Sequence, residues 1–161
     1  MKVMFAPWRM QYIEGDKPQG CVLCEALRHG EGKESLVLYT GRHAFVMMNR
    51  YPYTSGHLMV VPKRHVAWPG ELSREEYGEL SELVRRSLDV LKKAFSPQGF
   101  NVGMNLGEAA GAGIVDHFHI HVLPRWAGDT NFMSVVGGVR VIPEALYRTF
   151  EKLYPLFREE S

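Results

Sequence analysis

The chain has 161 residues, 45% hydrophobic and 23% charged, with a formal net charge of +1. These proportions describe a soluble globular protein with enough chain for one ordinary core. The near-neutral balance excludes a general electrostatic hold on nucleic acid or on a membrane surface, so an anionic ligand must be held by local geometry.

Two cysteines are too few for a disulfide scaffold. No stretch approaches the roughly 18 apolar residues of a membrane span. The opening MKVMFAPWRMQYI is interrupted by Pro7, Arg9 and Gln11 and lacks the apolar core of a secretory signal. The expectation is a cytoplasmic chain of one domain, 1–161: an N-terminal arm over 1–20, a core over 21–132 and a C-terminal extension over 133–161.

In chain order, Met1–Gly20 mixes aromatics with turn residues and reads as an arm that packs onto something else. Cys21–His29 predicts a short helical turn, ended by Gly30 and Gly32. Strands are expected over Leu36–Thr40, His43–Asn49 and His57–Pro62, with Pro52 and Gly56 supplying turn chemistry between the last two. Ser73–Phe95 is the clearest helix. Ser73 and Glu76 make a capping box, and Tyr77, Leu80, Leu83, Val84, Leu88, Leu91 and Phe95 form an apolar stripe. Phe100–Leu106 reads as a strand, Gly107–Gly113 as a glycine-rich loop, and His117–Leu123 as a further strand. A short helix follows Pro143. Tight turns and one long helix between strand groups predict an α+β fold on a mostly antiparallel sheet.

The stretch His117-Phe-His-Ile-His-Val-Leu123 carries the chemistry. On a strand, alternate side chains share a face, so His117, His119 and His121 would stand about 6.6 Å apart in a row. Phe118, Ile120 and Val122 would pack beneath the long helix. Three imidazoles in a row suit a metal site, a covalent catalyst or a polar face. A single metal is harder for three neighbours on one straight strand than for two. A neutral imidazole attacking phosphorus, flanked by groups that handle protons, is the covalent alternative. Upstream, Asn105-Leu-Gly-Glu-Ala-Ala-Gly-Ala-Gly113 would let backbone approach a phosphate closely, with Gly111 and Gly113 in the cradle.

H-F-H-I-H-V-L matches, residue for residue, the His-φ-His-φ-His-φ-φ signature of the histidine triad family. Asn49-Arg-Tyr-Pro52, Ser55-Gly-His-Leu58, Val61-Pro-Lys-Arg-His65 and Leu123-Pro-Arg-Trp-Ala-Gly-Asp129 resemble its other segments. The last is similar to the fragile-histidine-triad branch. The likeness covers about Pro18 to Phe132.

The resemblance implies a roughly five-stranded antiparallel sheet with one long helix per subunit, assembled as a two-fold homodimer. It also implies nucleotide binding and cleavage at an α-phosphate through a nucleotidyl-histidine. His119 would be the nucleophile and His121 the group facing the phosphate. His117 would orient the nucleophile or take a second role, and His57 would support the network from behind. Asn49 would meet the ribose, and Asn105 the phosphates or leaving group. Transferase relatives carry glutamine at the third triad position. His121 therefore favours the hydrolase-like side, with dinucleoside polyphosphates such as diadenosine tri- or tetraphosphate as substrates. Phosphorolysis, cleavage of a P–N bond, nucleotide binding with little turnover, and a zinc-organised scaffold are the alternatives.

Cys21-Val-Leu-Cys24 has the spacing of half a zinc site, against a redox pair or two buried thiols. His65 and His117 are the candidate remaining ligands. The same four positions resemble a structural zinc site in the family's uridylyltransferase relatives and in some bacterial members. Arg125 and Trp126 are candidates for serving the leaving group or a dimer partner, and Phe45, Met48, Tyr51 and Tyr53 are candidates for lining a base pocket.

Overall fold

The computed structural model describes residues 20–130, 136 and 144–159, so the arm lies outside the described residues apart from Gly20. The elements are α1 (Val22–His29), β1 (Val37–Thr40), β2 (Ala44–Met48), β3 (Leu58–Pro62), α2 (Arg74–Phe95), β4 (Gly99–Gly103), β5 (Ile120–Arg125) and α3 (Leu146–Leu156). Five strands form one sheet in the order β1-β2-β3-β5-β4, and every pairing is antiparallel.

The long helix starts where the sequence says it should. Ser73 Oγ accepts the Glu76 N–H and Glu76 Oε2 accepts the Ser73 N–H, the reciprocal bonds of a capping box. Ser96 ends it in the left-handed region at φ 46°, just before Pro97.

Alternation along the strands builds two cores, one on each face of the sheet. Val46, Met48, Val60, Phe118, Ile120 and Val122 pack with Leu80, Leu83 and Leu91 of α2 and with Phe150 and Leu153 of α3. On the other face Phe45, Met47, Met59 and Val61 pack with Leu23 and Ala26 of α1. Full burial of each large side chain contributes about 1.5–3 kcal/mol. Phe118, Ile120 and Val122 therefore pin the histidine-bearing stretch firmly to the sheet. Phe45 and Met48, candidates for a base pocket, are instead consumed by these two cores.

All five strands differ from expectation at one or both ends, β2 and β3 by a single residue at an end. β1 begins at Val37 because Leu36 sits in the left-handed region at φ 63°. β4 covers Gly99–Gly103 and stops before Leu106.

β5 starts at Ile120, so His117 and His119 precede the strand. Its neighbour β3 ends at Pro62, which has no N–H to offer a ladder, and the Pro62 carbonyl takes the His117 ring instead. Phe118 turns its N–H to Val66 rather than to a strand partner. At its other end β5 runs on through Pro124 to Arg125. Among the described residues only β4 pairs with β5 beyond Val122, so the missing N–H of Pro124 interrupts no second ladder there.

Candidate active site and metal centre

His57, at the foot of β3, lies beside β5 because Leu58 pairs with Val122 and Met59 with His121. Its ring is buried. The Tyr53 N–H donates to His57 Nδ1 at 3.1 Å, and a backbone amide can only donate. His57 therefore carries its own proton on Nε2, which lies 2.8 Å from His121 Nδ1. That nitrogen must accept. His121 is left with its proton on Nε2, an N–H donor on the sheet face that carries the histidines. Burial, and next the adjacent His119, push the His121 pKa down to about 4, so it stays neutral near pH 7. Tyr53 also lays its ring against both, 4.7 Å from His57 and 6.1 Å from His121 between centroids.

His119 has the opposite polarity. Its Nδ1 lies 3.1 Å from the carbonyl oxygen of His117, which can only accept. The proton is thus on Nδ1, and Nε2 carries a free lone pair. Burial lowers the His119 pKa, only partly offset by that bond, and favours the neutral ring. The His119 and His121 rings meet edge-on with centroids 4.7 Å apart. A nucleophilic lone pair and a hydrogen-bond donor are thereby set side by side.

His117 turns away from this pair. Its Nε2–H donates to the Pro62 carbonyl at 2.8 Å, which leaves Nδ1 as a lone pair. That nitrogen lies 3.3 Å from Cys21 Sγ and 3.4 Å from Cys24 Sγ, and His65 Nδ1 lies 3.4 Å from Cys24 Sγ. The four ligand atoms all fall within 4.8 Å of one another. A tetrahedral zinc with bonds of about 2.3 Å to sulfur and 2.0–2.1 Å to nitrogen has sulfur–nitrogen edges of roughly 3.6 Å. The three sulfur–nitrogen distances match within a few tenths of an ångström, and the Pro62 carbonyl fixes the tautomer that a ligand needs. Cys21, Cys24, His65 and His117 could hold a metal ion.

The remaining sequence candidates divide. Asn49 spends Oδ1 on the Tyr51 N–H at 2.8 Å, while its Nδ2 faces Met59 Sδ at 3.6 Å. Asn105 lies two residues beyond Gly103, whose pairing with His121 ends the ladder between β4 and β5. In the glycine-rich loop, the N–H groups of Ala110, Gly111 and Ala112 bond back to Gly107 and Glu108. Gly111, at φ 86°, closes a short 3-10 turn over Glu108–Ala110. These three amides face the loop itself rather than an anion, and Gly113 follows them.

Arg125 is engaged by neighbours of its own chain. It forms a two-pronged pair with Asp129, at 2.6 and 2.8 Å, and donates to Asn101. The guanidinium holds the Asp129 carboxyl well below the usual range. Trp126 packs edge-on against Phe95 of its own chain. Sequence reading missed the backbone groups that set the tautomers, the Tyr53 N–H and the Pro62 and His117 carbonyls. Side-chain identity carries no signal for them.

The HIT domain pattern matches residues 31–128, which include the whole sheet and all three histidines. This chain belongs to the histidine triad family. A Mycobacterium tuberculosis protein named AP-4-A phosphorylase is 44% identical over 117 residues, 73% of this chain and 60% of that protein. A Schizosaccharomyces pombe relative, bis(5'-nucleosyl)-tetraphosphatase (asymmetrical), is 34% identical over 95 residues, 59% of this chain and 52% of its own. The chain thus spans a little over half the length of these HIT relatives. The fold is also that of a zinc-bound histidine triad family protein from Mycobacterium smegmatis, with a TM-score of 0.69 at 23% identity over 86% of this chain and 94% of that one.

Proposed function

We propose that the chain cleaves dinucleoside polyphosphates at an α-phosphate, with His119 as the nucleophile. The observation that carries this reading is the opposed pair of tautomers, a lone pair on His119 Nε2 beside an N–H on His121 Nε2. In the first step the His119 lone pair attacks the α-phosphorus, forming a P–N bond as the bond to the distal phosphate chain breaks. The nucleoside polyphosphate departs. His121 donates to the phosphoryl oxygens as charge builds on them. His57 keeps that donor aimed, and Asn105 and the 107–113 loop, with Gly111 and Gly113, flank the phosphates. Asn49 would use its amide N–H toward the ribose.

In the second step water or inorganic phosphate takes the nucleotidyl group from His119. The name of the 44% identical relative supports inorganic phosphate as acceptor, whereas the third histidine of the triad supports water. Product analysis on diadenosine tetraphosphate separates them. ADP plus ATP, formed only when phosphate is present, indicates phosphorolysis; AMP plus ATP without phosphate indicates hydrolysis. No cleavage at all would refute the proposal.

The metal reading is a structural zinc ion held by Cys21, Cys24, His65 and His117. Four protein ligands close the coordination sphere, so the ion would fasten α1 to the segment entering β5 rather than meet substrate. Such a chain would act as a homodimer in the cytoplasm. β4 supports the dimer, since it ends the sheet with an open edge and Val102 is 48% exposed there. A monomeric mass by light scattering would rule it out.

A further inference from the structure

Cys21 and Cys24 sit where two thiols can join each other as readily as they can share a metal. Cys21 is the N-cap of α1, extended at φ −85° and ψ 118°, and Cys24 lies in the first turn. Residues three apart on one helical turn hold their α-carbons about 5 Å apart. A disulfide accepts α-carbons roughly 4.4–6.8 Å apart, so modest side-chain rotation can close it. Both cysteines are half-buried and His65 is exposed, whereas His117 is wholly buried. Solvent therefore reaches the cluster from the side of the sulfurs.

The geometry points to Cys21 and Cys24 as a reversible oxidation site, where a hydroperoxide turns the zinc-bound thiolate pair into a Cys21–Cys24 disulfide and expels the ion. This rests on the zinc reading above. The S–S bond forms as the peroxide O–O bond breaks. Two electrons pass from the sulfurs to the oxygens, which take up two protons and leave, for hydrogen peroxide, as two waters. Disulfide sulfurs carry no charge and bind zinc poorly, so the ion would keep only His65 and His117. One residue carries the effect onward. His117 would lose the anchor on its ring nitrogen, and its carbonyl is the acceptor that orients His119.

The test uses the full chain loaded with zinc and titrated with hydrogen peroxide. Released zinc is followed with a chromophoric chelator, alongside thiol titration, intact mass and turnover of diadenosine tetraphosphate. Each chain is expected to release one zinc as two thiols disappear, with a mass loss of two hydrogens and turnover reduced about tenfold or more. Dithiothreitol with added zinc should restore all four readings. Zinc retained with both thiols still titratable overturns the proposal, and so does oxygen added to the cysteines in place of a disulfide. A reduced chain that binds no zinc overturns the metal reading itself. Zinc release through the disulfide with turnover unchanged overturns the link to His119.

Discussion

The carbonyl oxygen of His117 lies 3.1 Å from Nδ1 of His119, and this contact decides which nitrogen of His119 is free to react. The same residue turns its ring the other way, toward two cysteines. The candidate metal cluster and the proposed nucleophile are thus joined by one peptide unit. In the neighbouring relay, the Tyr53 amide sets His57, and His57 sets His121. Two histidines of identical chemistry, two positions apart, are given opposite roles by backbone groups.

That relay can be tested by substitution at His57. Replacing it with leucine removes the donor to His121 Nδ1 and leaves a buried acceptor unpaired. The loss in kcat should be about 10–100-fold, the usual scale for a group that orients a reacting one, with a smaller change in KM. His57→Gln presents an N–H near the Nε2 position and should recover most of the loss. Nitrogen-15 shifts of the His121 ring report the tautomer directly. A glutamine variant as poor as leucine, with the His121 tautomer unchanged in both, would argue against the relay.

The protonation state of His121 sets a pH window. Burial and the adjacent His119 hold its pKa at about 4, against 6.5 for an ordinary histidine. As pH falls below 6.5 the unfolded chain takes up this proton before the folded one does. The neutral ring therefore contributes its full stability above pH 6.5, and loses it progressively down to about pH 4. Turnover should hold through pH 6.5 and fall only toward pH 4. A kcat profile with its acid limb centred at 6.5 would contradict the assignment of His121 as a neutral donor.

Gly56 ties the turn carrying His57 to the rest of the fold. Its φ is +80°, and an added β-carbon would lie 3.1–3.2 Å from Leu91, Phe95 and Pro124. Gly56→Ala combines left-handed strain of roughly 1–2 kcal/mol with overpacking of similar size. Urea unfolding should show a loss of at least about 1 kcal/mol. Since the strain bears on the turn behind His57, kcat should fall as well. Unchanged stability would mean that the turn relaxes freely.

Much of this was readable in the chain itself, and the reasons differ from place to place. The capping box at Ser73 and the apolar stripe of α2 are local patterns; the box appears where the spacing puts it, and the stripe does so except that Tyr77 is exposed and Val90 is buried. The four-ligand cluster was legible from residue type together with family likeness, and the structure brings Cys21, Cys24, His65 and His117 together across 97 positions of chain. The start of β5 was not legible, because the Phe118 N–H goes to the Val66 carbonyl and the His117 carbonyl to the His119 ring. The fate of Arg125 was hidden too, since nothing in its sequence says that Asp129 and Asn101 would claim all of its fork. Tautomers lay furthest from view, being set by amides and carbonyls that every residue possesses.

The central claim is that Nε2 of His119 becomes covalently bonded to phosphorus. Rapid base quenching of the chain with labelled diadenosine tetraphosphate, followed by peptide mapping at alkaline pH, addresses it directly. The nucleotidyl group should be found on His119 in the peptide carrying Phe118 and Ile120, stable to base and labile to acid. His119→Ala should lose at least about 10⁴-fold in turnover while still binding nucleotide. Label on any other residue, or undiminished turnover in His119→Ala, would contradict it.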